Sequence, residues 1–178
     1  MSPGFRTRVR RSPDAEPSSD PDACREAALK LLERTRRTRS DLAKKLADQG
    51  FTAAAIEPVL ERLTTVGLVD DTEFARAFLA GRWGRKPAGW KRLQQELRAK
   101  GIDDADVLAA RTAIEGREGG VDELATARKL IAQASRRYAR LEPRVRSQRL
   151  YALLARRGYD GEVIRRALAL RDDEAAEE

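Results

Sequence analysis

The side chains that ordinarily carry covalent chemistry are scarce in this chain of 178 residues, which has no histidine and a single cysteine, Cys24. Without imidazole there is no general base of the usual kind, no Cys-His pair and no standard zinc cluster. Cys24 has no partner for an internal disulfide and reads as a bystander thiol in a reducing compartment. The nearest approach to a catalytic group is Asp70-Asp71-Thr72-Glu73. Neighbouring carboxylates can hold a metal or share a proton, yet no histidine and no third acid is placed to help them. The same four residues make a helix start, with Asp70 as cap and Glu73 reaching back to it. Gly81 and Gly84 lack the spacing of a phosphate-binding loop, and no strand precedes them. The inventory points away from an enzyme and implies no cofactor.

What the chain has in quantity is positive charge. Lys and Arg total 36 against 29 acids, a net charge of +7. The acids of residues 172–178 (Asp172, Asp173, Glu174, Glu177 and Glu178) mask a body of +12 over residues 25–171. Such a body attracts polyanions, nucleic acid foremost. An Arg-rich composition that serves solubility would also give that charge, so its placement matters more than its amount. Arg34, Arg36, Arg37 and Arg39 form one cluster; Arg82, Arg85 and Lys86 a second; Arg136, Arg137, Arg140, Arg144 and Arg146 a third. Lys91, Arg92, Lys100, Arg149 and Arg157 extend the second and third. Trp83 and Trp90 flank the second cluster, where they can stack on bases, meet a partner protein or simply pack in the core.

The clusters sit at equivalent points of a repeating phrase. Leu42, Leu46, Gly50-Phe51 and Ile56 are followed by Leu93, Leu97, Gly101-Ile102 and Val107, then by Leu150, Leu154, Gly158-Tyr159 and Ile164. The glycines are 51 and 57 residues apart. Two leucines four apart share a helix face, and glycine after the last turn allows a left-handed backbone. The apolar residue that follows can fold back over that turn. Self-similarity at this period marks stacked helical units that do not bury their apolar faces alone.

Each unit then reads as three helices, and strand signals are absent. We expect an all-α fold of three tandem three-helix repeats in an elongated curved array. A disordered arm occupies residues 1–21, the repeats 22–69, 70–116 and 120–171, and an acidic C-terminal tail 172–178. In repeat one, helices begin near Asp22, at Ser40 as N-cap, and after Thr52, with Pro58 kinking the third helix or delaying its start. In repeat two, the first helix ends near Gly81 to Gly84, a basic connection leads to a helix over 90–100, and another follows from Asp103. In repeat three, helices start near Asp122, at Pro143 and at Asp160. Every basic cluster falls between first and second helices, so a steady rotation between units would align them in one stripe along a phosphate backbone.

The run Gly67-Leu68-Val69-Asp70-Asp71-Thr72-Glu73-Phe74-Ala75-Arg76, followed by Leu93-Gln94-Gln95-Glu96-Leu97-Arg98-Ala99-Lys100-Gly101-Ile102, closely resembles the central repeat of the RecX regulatory proteins of bacteria. Ser40-Asp41-Leu42 through Gly50-Phe51 is similar to that family's first repeat, and Leu150 through Gly158-Tyr159 to its last. The resemblance covers residues 23–170. It implies a crescent that lodges in the groove of the RecA filament on single-stranded DNA and inhibits recombinase and coprotease activity, with a basic concave contact surface. It also implies roles in DNA repair, recombination and the SOS response. One departure is the loop before the second helix of the central repeat, where the family's Lys-Gly reads Lys86-Pro87-Ala88-Gly89. A monomer in the cytoplasm, with no membrane contact, is the expected setting. An autonomous helical DNA-binding protein, or one bound to RNA, fits the charge without the filament.

Overall fold

Helix ends set the architecture of this protein. The computed structural model describes residues 17–85, 87–115 and 122–176, and their side chains apart from those of 83–85 and 170–176. The described residues carry nine α-helices, three to a repeat, and one isolated bridge in place of any sheet. They divide into two compact units, one closing at Asp71 and one opening at Thr72.

The first unit holds α1 (Pro21–Leu32), α2 (Arg39–Asp48) and α3 (Ala53–Thr65). Asp20 caps α1, its carboxylate accepting the N–H groups of Asp22 at 2.9 Å and Ala23 at 3.2 Å. The cap of α2 is Thr38, not Ser40: Thr38 is extended (φ −75°, ψ 157°) and its buried hydroxyl accepts from Asp41 N–H. Ser40 is already inside the helix and exposed. Thr52 caps α3 as expected, so Pro58 does not delay that helix. It sits in the interior on the exposed side, at the loss of one intrahelical bond.

Residues 17–20 differ from the expected arm. Ser18 N–H donates to Gly50 O at 2.8 Å, and Thr52 N–H to Ser18 O at 3.0 Å, a short parallel bridge laid beside the α2–α3 turn. Their backbone polar groups find partners there, which periodicity in sequence does not register. The rest of the expected arm, residues 1–16, lies outside the described residues.

The second unit holds α4 (Asp71–Arg85, all but its first residue), α5 (Trp90–Arg98), α6 (Asp104–Glu115), α7 (Glu123–Tyr138), α8 (Pro143–Arg156) and α9 (Gly161–Ala176). Two ends move from their expected places. α4 runs through Gly81 and Gly84 to Arg85, so Arg82, Trp83 and Arg85 belong to a helix and not to a connection. Neither glycine has the positive φ that would end the helix. α9 continues past Arg171 to Ala176, taking Asp172, Asp173 and Glu174 with it; residues 177–178, and the expected linker at 116–120, lie outside the described residues.

The recurring glycines behave alike. Gly50, Gly101 and Gly158 have φ of 85°, 76° and 84°. Phe51, Ile102 and Tyr159 donate their N–H groups back to the carbonyls of Leu46, Leu97 and Leu154, five residues earlier. This is the Schellman closure, made three times. Gly67 ends α3 the same way, with Leu68 N–H on Leu63 O.

Against expectation, each repeat closes a core of its own. Cys24, Ala28, Leu42, Leu46, Ile56 and Leu60 fill the first; Leu79, Leu93, Leu97, Ile102 and Val107 the second; Leu130, Ile131, Leu150, Leu154, Tyr159 and Ile164 the third. Three apolar stripes enclose a core without a neighbouring unit. Each buried leucine contributes about 1.5–3 kcal/mol.

Candidate nucleic-acid and partner interface

In the first repeat, folding gives Arg37 and Arg39 internal partners. Arg37 donates to Asp41 at 2.7 Å and, through Nε, to Leu31 O at 3.3 Å. Arg39 pairs with Glu57 at 2.8 Å, and its backbone N–H is held by Asp71 at 2.9 Å. Arg34 and Arg36 stay exposed on the α1–α2 connection. Two of the carboxylates once eligible for metal or proton work hold the fold together: Asp71 caps the start of α2, and Glu73 accepts a fork from Arg76 at 2.6 and 2.7 Å, while Thr72 between them hydrogen-bonds Asp106. No group of acids, Cys or His among the described residues could hold a metal ion.

In the second repeat, Glu96 gathers the cations. Arg82 grips it through Nε at 3.1 Å and Nη2 at 2.9 Å, and Arg92 adds a bond at 3.0 Å. The Arg82 hydrogen bond holds the Glu96 carboxyl below its ordinary range, against the opposing effect of burial, and the same bond raises the Arg82 guanidinium. Lys91 pairs with Asp160 at 2.7 Å, which raises the amine and lowers the acid. Lys100 lies over Phe74 and Phe78, 5.8 and 5.9 Å from the ring centres. Trp90 packs on the second core and is covered by the Arg111 guanidinium at 4.4 Å. The side chains of Trp83, Arg85 and Lys86 lie outside the described residues.

The third repeat is different. Arg136 and Arg137 in the last turn of α7, Arg140 in the connection, and Arg144 and Arg149 on α8 are exposed, and none meets a carboxylate among the described residues. Arg137 lies 5.9 Å from the Tyr138 ring. Arg146 beside them is half-buried, its Nε without an acceptor. Arg157 instead turns inward, Nη1 donating to Pro87 O at 3.3 Å.

That last bond belongs to a joint between the second and third repeats, built from backbone. Gly89 N–H donates to Arg157 O at 2.9 Å. A Cβ on Gly89 would lie 2.1 Å from Tyr159 N and 2.2 Å from Gly158 C; one on Gly158 would lie 2.5 Å from Arg92 Cβ. Gly89 is the N-cap of α5 and offers no side-chain oxygen. The carboxylate of Glu123, opening α7, takes the Trp90 N–H at 2.8 Å instead, much as Asp71 serves Arg39. Burial raises the Glu123 carboxyl. The loop Pro87-Ala88-Gly89 thus ends in the one residue type that allows this approach.

Sequence reasoning passed over Tyr151. Among the described residues it is the aromatic left most open, 41% exposed, whereas Tyr159 is 3% exposed with its hydroxyl on Thr126. Its place on α8 beside the Gly158 turn, one position past a core leucine, was the available signal.

Models of the first, second and third three-helix domains of RecX match residues 24–63, 70–110 and 121–168. The regulatory protein RecX of Mycobacterium ulcerans is 40% identical over 146 residues, 82% of each chain. That of Mycobacterium tuberculosis is 40% identical over 152 residues, 83% of this chain and 84% of its own. The crystal structure of RecX from Lactobacillus salivarius shares the fold with a TM-score of 0.78 at 20% identity, covering 85% of this chain and 96% of that one. Another crystal structure of regulatory protein RecX gives 0.73 at 26% identity, over 84% and 73%. No helix among the described residues is long and apolar enough to cross a membrane. On the three domain matches and these relatives, the chain belongs to the RecX family of regulatory proteins.

Proposed function

We propose that this chain is a non-enzymatic negative regulator of RecA that binds the recombinase filament on single-stranded DNA through cationic side chains, and that the third repeat supplies the larger share of the contact. The observation that carries this reading is the difference in charge pairing. Arg37, Arg39, Arg82, Lys91 and Arg92 already spend their charge on internal acids. Among the described residues Arg136, Arg137, Arg140, Arg144 and Arg149 meet no carboxylate, and the buried Nε of Arg146 lacks an acceptor. An unmatched guanidinium keeps its full attraction for phosphate or for an acidic protein face, and buried donors are ordinarily satisfied. Lodged across neighbouring protomers and the bound strand, the chain would block protomer addition and favour net disassembly.

The experiment changes the charge in two places. Arg136, Arg137 and Arg140 changed together to Glu should abolish inhibition of RecA ATPase on single-stranded DNA. Arg37→Ala should leave inhibition in place. Undiminished inhibition by the triple variant would reject this surface. Binding should also weaken with added salt as phosphate contacts release counterions, and a flat response would point to an apolar protein contact.

A further inference from the structure

A cleft of about 710 Å³ lies between α5 and the α8–α9 turn, at the other end of α8 from the Arg136–Arg140 cluster. Its walls include Lys91, Arg92 and Gln95 on one side, and Tyr151, Arg156 and Gly158 on the other. That volume falls within the roughly 300–1,000 Å³ of small-ligand sites. Its width is fixed by the glycine joint, because Gly158 lines the cleft and rests against Arg92.

Three features of this cleft go together. Tyr151 is the only aromatic among the exposed large apolar side chains of the described residues, the others being aliphatic. Its hydroxyl lies over Gly161, 3.4 Å from where a Cβ would stand, and makes no hydrogen bond among the described residues. Lys91 and Arg92 are balanced by Asp160 and Glu96, while Arg156 is exposed and meets no carboxylate among the described residues. The cleft therefore offers one aromatic face and one unmatched guanidinium between walls held at a set distance.

We propose that this cleft takes one nucleotide of single-stranded DNA, its base stacked on Tyr151 and its phosphate at Arg156. An aromatic ring accepts any base, since every base has a π-face, and a guanidinium follows the backbone charge; the pair recognises the strand without reading its sequence. Duplex bases are already stacked on one another and do not fit this arrangement. The inference rests on the proposed function for the presence of a single strand, and adds the residue that distinguishes a base from a bare phosphate chain.

The test is binding of the full chain, without RecA, to labelled oligo(dT) and to an oligonucleotide of equal length and charge whose central positions are abasic. Tyr151→Leu should weaken oligo(dT) binding about 5- to 150-fold, the loss of one stacked base. Tyr151→Phe should stay within about twofold of the parent. The abasic strand should bind the parent as weakly as oligo(dT) binds Tyr151→Leu, with no further loss when the two changes are combined. The inference is overturned if Tyr151→Leu binds oligo(dT) like the parent, or loses equally on both strands. It is also overturned if the parent does not bind oligo(dT). Should Tyr151→Leu fold poorly by circular dichroism, Tyr151→Phe and the abasic strand still decide. Inhibition of RecA, measured separately, reports on the proposed function alone.

Discussion

Replacing Gly89 with alanine probes the joint on which the second unit depends. The added Cβ would lie 2.1 Å from Tyr159 N and 2.3 Å from Gly158 O, and those atoms are backbone, so no side chain can swing aside. Ordinary contact near 3.4 Å requires the two repeats to part by more than an ångström. That motion breaks the Gly89 N–H to Arg157 O bond, worth about 0.5–1.5 kcal/mol net. It also draws Trp90 N–H from Glu123, the cap of α5, at about 0.5–2 kcal/mol. A loss of about 2–3 kcal/mol follows, and thermal unfolding followed by circular dichroism measures it. In a unit of this size that lowers Tm by about 10 °C or more. Because each repeat has its own core, helix content at low temperature should be unchanged. Gly81→Ala is the control: it lies in α4 with no atom within 4 Å of the added carbon. Removing a helix-interior glycine should stabilise by up to about 1 kcal/mol. A Gly89→Ala protein that melts with the parent would refute the close approach of these two backbones.

Leu150→Ala should cost about 2–5 kcal/mol, and hydrogen exchange should show protection lost in α7, α8 and α9 with α1–α3 unaffected, since Leu150 is wholly buried in the third core. Acid should destabilise the protein in part through Glu96. Its folded carboxyl titrates below the ordinary 4.5, so the stability it contributes is present above that pH and is lost as pH falls through the lowered value. Urea unfolding at pH 7 and pH 3 should therefore differ less for Glu96→Gln than for the parent. Glu123 has the opposite sign: its carboxyl is raised, so its contribution is greatest below 4.5 and fades as pH rises. Glu123→Gln should remove that fade.

The sequence determined by itself what is local in backbone terms. A glycine at 50, 101 or 158 after a leucine pair suffices to predict a helix, its left-handed stop and the apolar residue folded behind it, because capping involves residues within one turn. The same holds for Thr52, Asp122, Pro143 and Asp160 as helix starts. Two local signals were not followed: α2 is capped by Thr38, whose side chain is buried, and not by Ser40, and α4 runs through Gly81 and Gly84, neither of which takes a positive φ. Which cations find an internal acid is set by the packing of helices. Arg82 meets Glu96 across 14 positions, Arg39 meets Glu57 across 18, and Lys91 meets Asp160 only because a glycine joint brings two repeats together. An arginine run in sequence counts charge; the neutralising carboxylate arrives from another helix, and only the packing of helices says which arginine it reaches.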